Sequence, residues 1–288
     1  MKNYISKLNT LLISASIITL STSCTKENIN NDIAETNITF SETSNANATG
    51  SCNNKPGDYN SFSRALKKMK LSRRINEGSD TSEWTDPENR CNTGYFAIKY
   101  RSGKRYMMME SNGEKNDRLE LKLEEGKEQS LGNYSQMKMK IRLYNCPTDS
   151  SDDERGYTFA QLHNRGDGVE RPFIRFDWTK SLNKIRLTVS HNEKKNEGDS
   201  SYDMVDYSQG NELEVTIKMK SDGKLWVKAK NLSQNKQKSK QITPSNAWKD
   251  NDLKNKFYYS TGPYQQAESS SSSSRPYILY QSLNLSSI

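Results

Sequence analysis

Thr158–Trp178 reads TFAQLHNRGDGVERPFIRFDW, and the punctuation of this stretch decides what kind of fold the chain builds. Thr158 to His163 mixes β-formers whose side chains alternate between two faces. Asn164-Arg165-Gly166-Asp167-Gly168 then supplies turn residues: Gly tolerates positive φ, and Asn and Asp hydrogen-bond their own backbone. A second strand is expected from Arg171 to Asp177. On the first strand Gln161 and His163 stand two apart, so their side chains share one face of a sheet. An amide beside an imidazole on a rigid strand is a plausible catalytic pair. It is equally what the solvated face of an antiparallel strand contains.

Working outward, the same strand–turn rhythm recurs. Further strands are expected at Tyr95–Tyr100, Arg118–Leu123, Met137–Leu143, Lys184–Ser190, Glu212–Lys220, Leu225–Lys230, Lys256–Tyr264 and Tyr277–Leu285. Met137, Met139, Ile141 and Leu143 oppose Lys138, Lys140 and Arg142, and Ile185, Leu187 and Val189 oppose Lys184, Arg186 and Thr188. Leu213, Val215, Ile217 and Met219 oppose Glu214, Thr216, Lys218 and Lys220, and Ser221-Asp222-Gly223 closes a hairpin into the next strand. Ser61–Leu71 carries the one helical signal, with Phe62, Leu66, Met69 and Leu71 on a common face. No alternation of strand and helix occurs, which excludes a parallel α/β fold. About ten antiparallel strands, each with one apolar face, make two packed sheets: an all-β sandwich of jelly-roll type. The abundant Lys and Arg on the polar faces suggest that one sheet presents a basic groove. The six serines Ser269–Ser274 are low-complexity and expected to form a mobile loop before the last strand.

Before this domain the chain has a different character. Lys2 and Lys7 precede a short apolar run, Leu11–Leu20, and the small residues Ser21-Thr22-Ser23 lead to Cys24, the pattern of an export signal over residues 1–23. Small residues ending on a cysteine resemble a bacterial lipoprotein signal in which Cys24 is lipidated, although Leu20 stands four residues before it rather than three. Ordinary cleavage after Ser23 is the alternative. Residues 24–50 are rich in Asn, Thr, Ser and Ala without periodicity and read as a polar tether to a domain spanning 51–288. The expectation is an exported protein anchored at the bacterial outer membrane, at the cell surface or in the periplasm, or alternatively secreted; it is also expected to be a monomer. Cys52, Cys91 and Cys146 allow three disulfide pairings with one thiol left over, and with two His in the chain their spacing does not suit a metal site. The chain carries a formal +8, of which Lys2 and Lys7 supply two charges. A basic exported protein suits an anionic partner, and a generally Lys-rich, soluble surface is the blander account. Nucleic acid is disfavoured because the Lys residues are spread over many strands. Nucleophilic catalysis is disfavoured as well, since no G-x-S-x-G elbow or Cys/His pairing is present.

Four stretches carry a resemblance. Arg118-Leu119-Glu120-Leu121-Lys122 resembles the R-[ST]-E-[LV]-R strand of the alginate lyases of polysaccharide lyase family seven. Gln161-Leu162-His163 resembles that family's Q-[IV]-H, and Arg171-Pro172-Phe173-Ile174-Arg175 its continuation. Tyr258-Tyr259-Ser260-Thr261-Gly262-Pro263-Tyr264-Gln265-Gln266 is similar to its Y-F-K-A-G-x-Y-N-Q, and Ile278–Leu283 to its closing strand. The resemblance implies a β-jelly roll whose concave sheet binds a uronic-acid polymer and cleaves it by β-elimination, with no metal or organic cofactor. It implies that Arg118 and Gln161 bind the uronate carboxylate, that His163 assists as base and that Tyr264 acts as base or acid. It further places Glu120, Lys122, Arg171, Arg175, Tyr258 and Gln266 along the bound polymer.

The chemistry explains these residue types. Removing the C5 proton of a uronate builds negative charge beside a carboxylate that is already negative. Neutralising that carboxylate with a guanidinium and an amide lets the charge delocalise into it. A nearby base must take the proton, and a phenol can protonate the departing glycosidic oxygen. Three positions depart from the pattern: Lys122 keeps a charge but not bidentate recognition, Ser260 stands where the family has Lys, and Gln265 replaces Asn. Two other functions remain in view, a lyase acting on another polyuronate such as glucuronan and a non-catalytic polysaccharide-binding jelly roll.

Overall fold

The structure, a computed structural model, describes residues 54–75, 80–146, 156–179, 182–194, 198–266 and 275–288. The expected leader, Cys24, the tether, Cys52 and Ser269–Ser274 lie outside the described residues. Fifteen strands follow one another among those described. The first eight are β1 (Met69–Ile75), β2 (Asp80–Trp84), β3 (Phe96–Arg101), β4 (Lys104–Glu110), β5 (Arg118–Leu123), β6 (Ser135–Tyr144), β7 (Tyr157–Asn164) and β8 (Ile174–Thr179). The rest are β9 (Lys184–Ser190), β10 (Asp199–Asp206), β11 (Leu213–Met219), β12 (Leu225–Asn231), β13 (Lys236–Ile242), β14 (Phe257–Gln265) and β15 (Tyr277–Ser286).

They form two antiparallel sheets. One has the order β10-β9-β8-β7-β14-β5-β1-β2, the other β13-β12-β11-β6-β15-β4-β3. The period-two residues named above explain the layering. Met137, Met139, Ile141 and Leu143 of β6 are buried, as are Leu213, Val215, Ile217 and Met219 of β11, while the intervening charged residues face out. From the other sheet Leu119, Leu121, Phe159, Leu162, Phe176 and Leu187 join the same core. Burying each such side chain stabilises the fold by roughly 1.5–3 kcal/mol. This two-layer arrangement leaves each sheet an outer face free for function.

Three expectations change. The helix expected over Ser61–Leu71 is one turn, α1 (Ser63–Leu66), and Met69 already begins β1. Phe62, Leu66 and Met69 keep helical spacing, but Met69 and Leu71 are two apart and both buried, which is strand geometry. The second strand of the opening stretch starts at Ile174 rather than Arg171. Five strands were not expected: β1, β2, β4, β10 and β13. β4 hides its alternation because Met107, Met108 and Met109 are all buried. Met107 and Met109 enter the main core, while Met108 packs on the opposite face with Tyr106, Tyr144 and Leu279 in a second cluster. Of the cysteines, Cys91 is in a disulfide and Cys146 is not; the Cys146 Sγ donates to the Trp178 carbonyl oxygen at 3.2 Å.

Candidate active site

Adjacent strands β7, β14 and β5 of the eight-stranded sheet bring the candidate residues together. In register, Gln161 of β7 is opposite Ser260 of β14, which is opposite Lys122 of β5. One step along, His163 is opposite Tyr258. At the other end Tyr264 is opposite Arg118 on one side and Thr158 on the other. Reaching that last pairing takes an irregularity. Between Thr261 and Tyr264 the register shifts, inserting one extra residue into β14 at Gly262-Pro263.

Gly262 makes this bulge possible. Its φ is +148°, and a Cβ there would lie 2.0 Å from the Leu119 carbonyl oxygen and 2.8 Å from the Glu120 Cα. Only glycine allows β5 to approach that closely. The irregularity is confined to the β7 side: against β5 the register runs unbroken, Ser260 and Tyr264 stand four apart on one face with Lys122 and Arg118, and the Arg118 guanidinium lies 5.0 Å from the Tyr264 ring centroid.

Glu120 lies at the centre of the face. Its side chain is 3% exposed, yet it meets four neighbours. The Gln161 Nε2 donates to Glu120 Oε1 at 2.8 Å, and Ser260 Oγ donates to the same oxygen at 3.3 Å. Arg118 Nε and Lys122 Nζ lie 3.8 and 3.7 Å from Glu120 Oε2. Lys122 Nζ also donates to Ser72 Oγ of β1 at 3.3 Å. This buried carboxylate ties Gln161, Ser260, Arg118 and Lys122 together. The Gln161 amide nitrogen carries two hydrogens, so one remains after the bond to Glu120. Arg118 Nε is buried without a hydrogen-bond partner, a donor awaiting an acceptor.

His163 lies beside this cluster, stacked on Tyr258 with ring centroids 5.4 Å apart. Burial lowers its pKa; the Asn164 backbone and Glu120 oppose the shift, while Lys122 and Arg118 add to it. The ring is therefore neutral at neutral pH. Its Nδ1 lies 3.0 Å from the Asn164 carbonyl oxygen and 2.8 Å from the Asn164 amide nitrogen. Donation to the carbonyl leaves Nε2 as a free base, whereas acceptance from the amide makes Nε2 a donor. Burial raises the Tyr258 pKa, so that phenol stays protonated, and the Arg165 guanidinium stands 4.3 Å from its ring centroid.

The remaining expected residues are placed differently. Arg171, 7% exposed, donates to Asp199 from the loop before β8. Arg175 of β8 is opposite Gln161, but its Nε donates to Asp177 Oδ2 at 3.2 Å and its Nη2 lies 3.8 Å from Asp199. Both guanidinium groups are thus held by carboxylates. Gln266 follows β14, and its backbone N–H donates to the Gly156 carbonyl oxygen. Sequence reasoning missed the β1 contribution. Arg74 is opposite Arg118 and Ser72 is opposite Glu120, both hidden while Met69–Leu71 was read as helix. Asp177 was missed too. It is 1% exposed and accepts from Thr158, Thr188 and Arg175, a buried support under the Arg175 side chain.

A family model described as alginate lyase matches residues 74–287. The chain belongs to the alginate lyase family. It is a polysaccharide lyase that cleaves alginate, and the match begins at Arg74 and takes in every strand of the face just described except the start of β1. Among curated proteins no sequence matches it. Solved structures share its fold. Alginate lyase AlyC3, in complex with dimannuronate, superposes with a TM-score of 0.62 at 15% identity, covering 81% of this chain and 94% of that one. The alginate lyase from Klebsiella pneumoniae gives 0.61 at 14% identity over 81% and 98% of the two chains. Alginate lyase A1-II', a member of polysaccharide lyase family 7, gives 0.60 at 17% identity over 81% and 98%.

Proposed function

We propose that this lyase breaks the C4–O4 bond of alginate by elimination across C4–C5, with Arg118, Gln161, His163 and Tyr264 as its catalytic residues. The observation that carries the reading is the Glu120 cluster. Gln161 is held at 2.8 Å and Arg118 at 3.8 Å by one buried carboxylate, so both donors are fixed before substrate arrives. A uronate carboxylate placed against them is neutralised by Arg118 and by the second Gln161 hydrogen. His163, neutral because it is buried, or Tyr264 takes the C5 proton. The electron pair forms the C4–C5 double bond, the C4–O4 bond breaks, and the Tyr264 phenol protonates the departing oxygen. Lys122 supplies the cation beside Gln161, where Ser260 has none to offer. Arg74, opposite Arg118, extends the positive surface along the polymer.

Export through residues 1–23 and lipidation of Cys24 are part of the same proposal, supported by Lys2, Lys7, Leu11–Leu20 and the small residues before the cysteine. The deciding experiment follows ultraviolet absorbance of the unsaturated product on polymannuronate, polyguluronate and glucuronan, with wild type and Tyr264→Phe. Absorbance that grows on an alginate polymer and is lost in the variant is the expected result. A fully active Tyr264→Phe, or product from glucuronan alone, overturns the assignment.

A further inference from the structure

The positive charge of this protein is not confined to the catalytic face. On that sheet Arg118 and Lys122 share Glu120, and Arg175, Lys184 and Arg186 are met by Asp177, Asp199 and Asp203. The outer face of the opposite sheet carries a larger excess. Across β6, β11 and β12 the outward cations are Lys138, Lys140, Arg142, Lys218, Lys228 and Lys230, and the register sets Lys140 and Lys230 on either side of Glu214 and Lys138 and Lys228 on either side of Thr216. Two carboxylates, Glu212 and Glu214, answer them. The carboxylates also lie lower: Lys138 is 44% exposed and its partner Glu214 is 18% exposed. Solvent therefore meets a positive surface. Lysines on an edge strand serve to block sheet-to-sheet pairing, but β6, β11 and β12 are all interior to their sheet.

One end of this face carries aromatic rings. Trp226 of β12 is opposite Lys218 of β11, whose Nζ stands 5.2 Å from the indole and 5.8 Å from the Tyr134 ring. Tyr134 is 42% exposed, one of two large hydrophobic side chains that exposed among the described residues. Lys218 and Lys230 have no carboxylate partner among the described residues. Cations recur about 7 Å apart along β6 and along β12, and these two rows stand about 10 Å apart with β11 between them. A positive surface with a lysine near two aromatic rings matches a polymer bearing one carboxylate per pyranose ring, whose sugar faces stack on aromatics and whose acids meet the lysines.

We propose that this face is a second, non-catalytic binding site for an acidic polysaccharide of the substrate's class. It rests on the reading of the substrate as a polyuronate. The core lies between the two sheets, so a polymer segment held here is not the segment in the groove. The site keeps the enzyme on its substrate between cuts.

The test is affinity electrophoresis in native gels containing alginate, in a Tyr264→Phe background that leaves the polymer intact. Adding Lys218→Glu, Trp226→Ala and Lys230→Glu is expected to weaken retention roughly ten-fold in Kd. The same three substitutions in the otherwise wild-type enzyme are expected to leave turnover of a short oligouronate unchanged, which also shows that the variant folds. The milder pair Lys218→Gln and Lys230→Gln should give a smaller loss that disappears in high salt. Retention equal to the parent overturns the proposal, as does a loss of short-oligomer turnover in step with polymer binding. Binding to anionic phospholipid vesicles that falls in the triple variant while alginate retention stays constant also overturns it, in favour of a membrane. If no unsaturated product forms but retention is present and falls in the triple variant, the surface site stands and the lyase assignment falls. Product with unchanged retention gives the reverse.

Discussion

Replacing Gly262 by alanine tests the link from backbone to chemistry most directly. The added Cβ would sit 2.0 Å from the Leu119 carbonyl oxygen, where ordinary contact needs at least 3.4 Å, so β14 and β5 must separate by more than an ångström. The obstructing atoms are backbone, and no side chain can swing away. Holding a non-glycine residue in this conformation costs about 1–3 kcal/mol. Each ladder hydrogen bond lost between the strands adds about 1 kcal/mol. A total of roughly 3–5 kcal/mol lowers Tm by about 10 °C in a domain of this size. Displacing Tyr264 from Arg118 by about 1 Å costs on the order of a hundred-fold in kcat. Gly223→Ala in the β11–β12 turn is the control. Its φ is +76° with nothing within 4 Å of the added Cβ, so it carries conformational strain without a clash. Thermal melting and product absorbance for the two variants separate the effects. A Gly262→Ala protein that melts and turns over like Gly223→Ala would refute the reasoning.

Three further outcomes are expected. Glu120→Ala strips Arg118 and Lys122 of a buried counter-charge and should cost about 3–5 kcal/mol, whereas Glu120→Gln, which still accepts from Gln161, should recover most of that stability in thermal melts. His163, its pKa lowered by burial, adds stability that is complete above about pH 6.5 and is lost as pH falls from there through its lower folded value; the Tm difference between wild type and His163→Asn, measured against pH, should be flat at neutral pH and decline in acid. Because Lys122 and Ser260 are opposite one another, Lys122→Ser alone should lower kcat/KM about ten-fold and the exchange Lys122→Ser with Ser260→Lys should restore most of it; an exchange no better than the single variant would deny Lys122 its role.

Legibility from sequence followed physical lines. Strands with one wet and one dry face, such as β6 and β11, were plain because their alternation reports burial directly. β1 was not, since Phe62, Leu66 and Met69 mimic a helix across a turn that ends at Leu66. Losing β1 hid Ser72 and Arg74, which reach the site only through pairing with β5. The grouping of Arg118, Gln161 and Tyr264 is non-local, set by register between strands far apart in sequence, and family resemblance rather than periodicity pointed to it. The commitment of Arg171 and Arg175 to Asp199 and Asp177 was likewise invisible, because partners across a sheet leave no mark on spacing. Nor could composition say which sheet holds the excess of lysines. Alternation assigns a residue to an outer face but not to one sheet or the other.

A buried carboxylate at the centre of a site for an anionic polymer looks self-defeating until its charges are counted. Arg118 and Lys122 bring two positive charges to Glu120's one negative, leaving a single net positive charge on the cluster. One uronate carboxylate cancels it. Without Glu120 the two cations would bind the ground-state carboxylate more strongly, and tighter ground-state binding does not speed elimination. With it, Arg118 and Gln161 are held rigidly, and on the proposed mechanism their hold on the substrate strengthens as the C5 proton leaves and charge flows into the carboxylate. The same count explains Ser260. A lysine added there would give the cluster a second net charge beside Lys122, on a residue that is 2% exposed, whereas a hydroxyl donates to Glu120 and adds none. The family pattern carries a cation at both positions, whereas here Lys122 alone does, so the uronate meets one positive charge fewer.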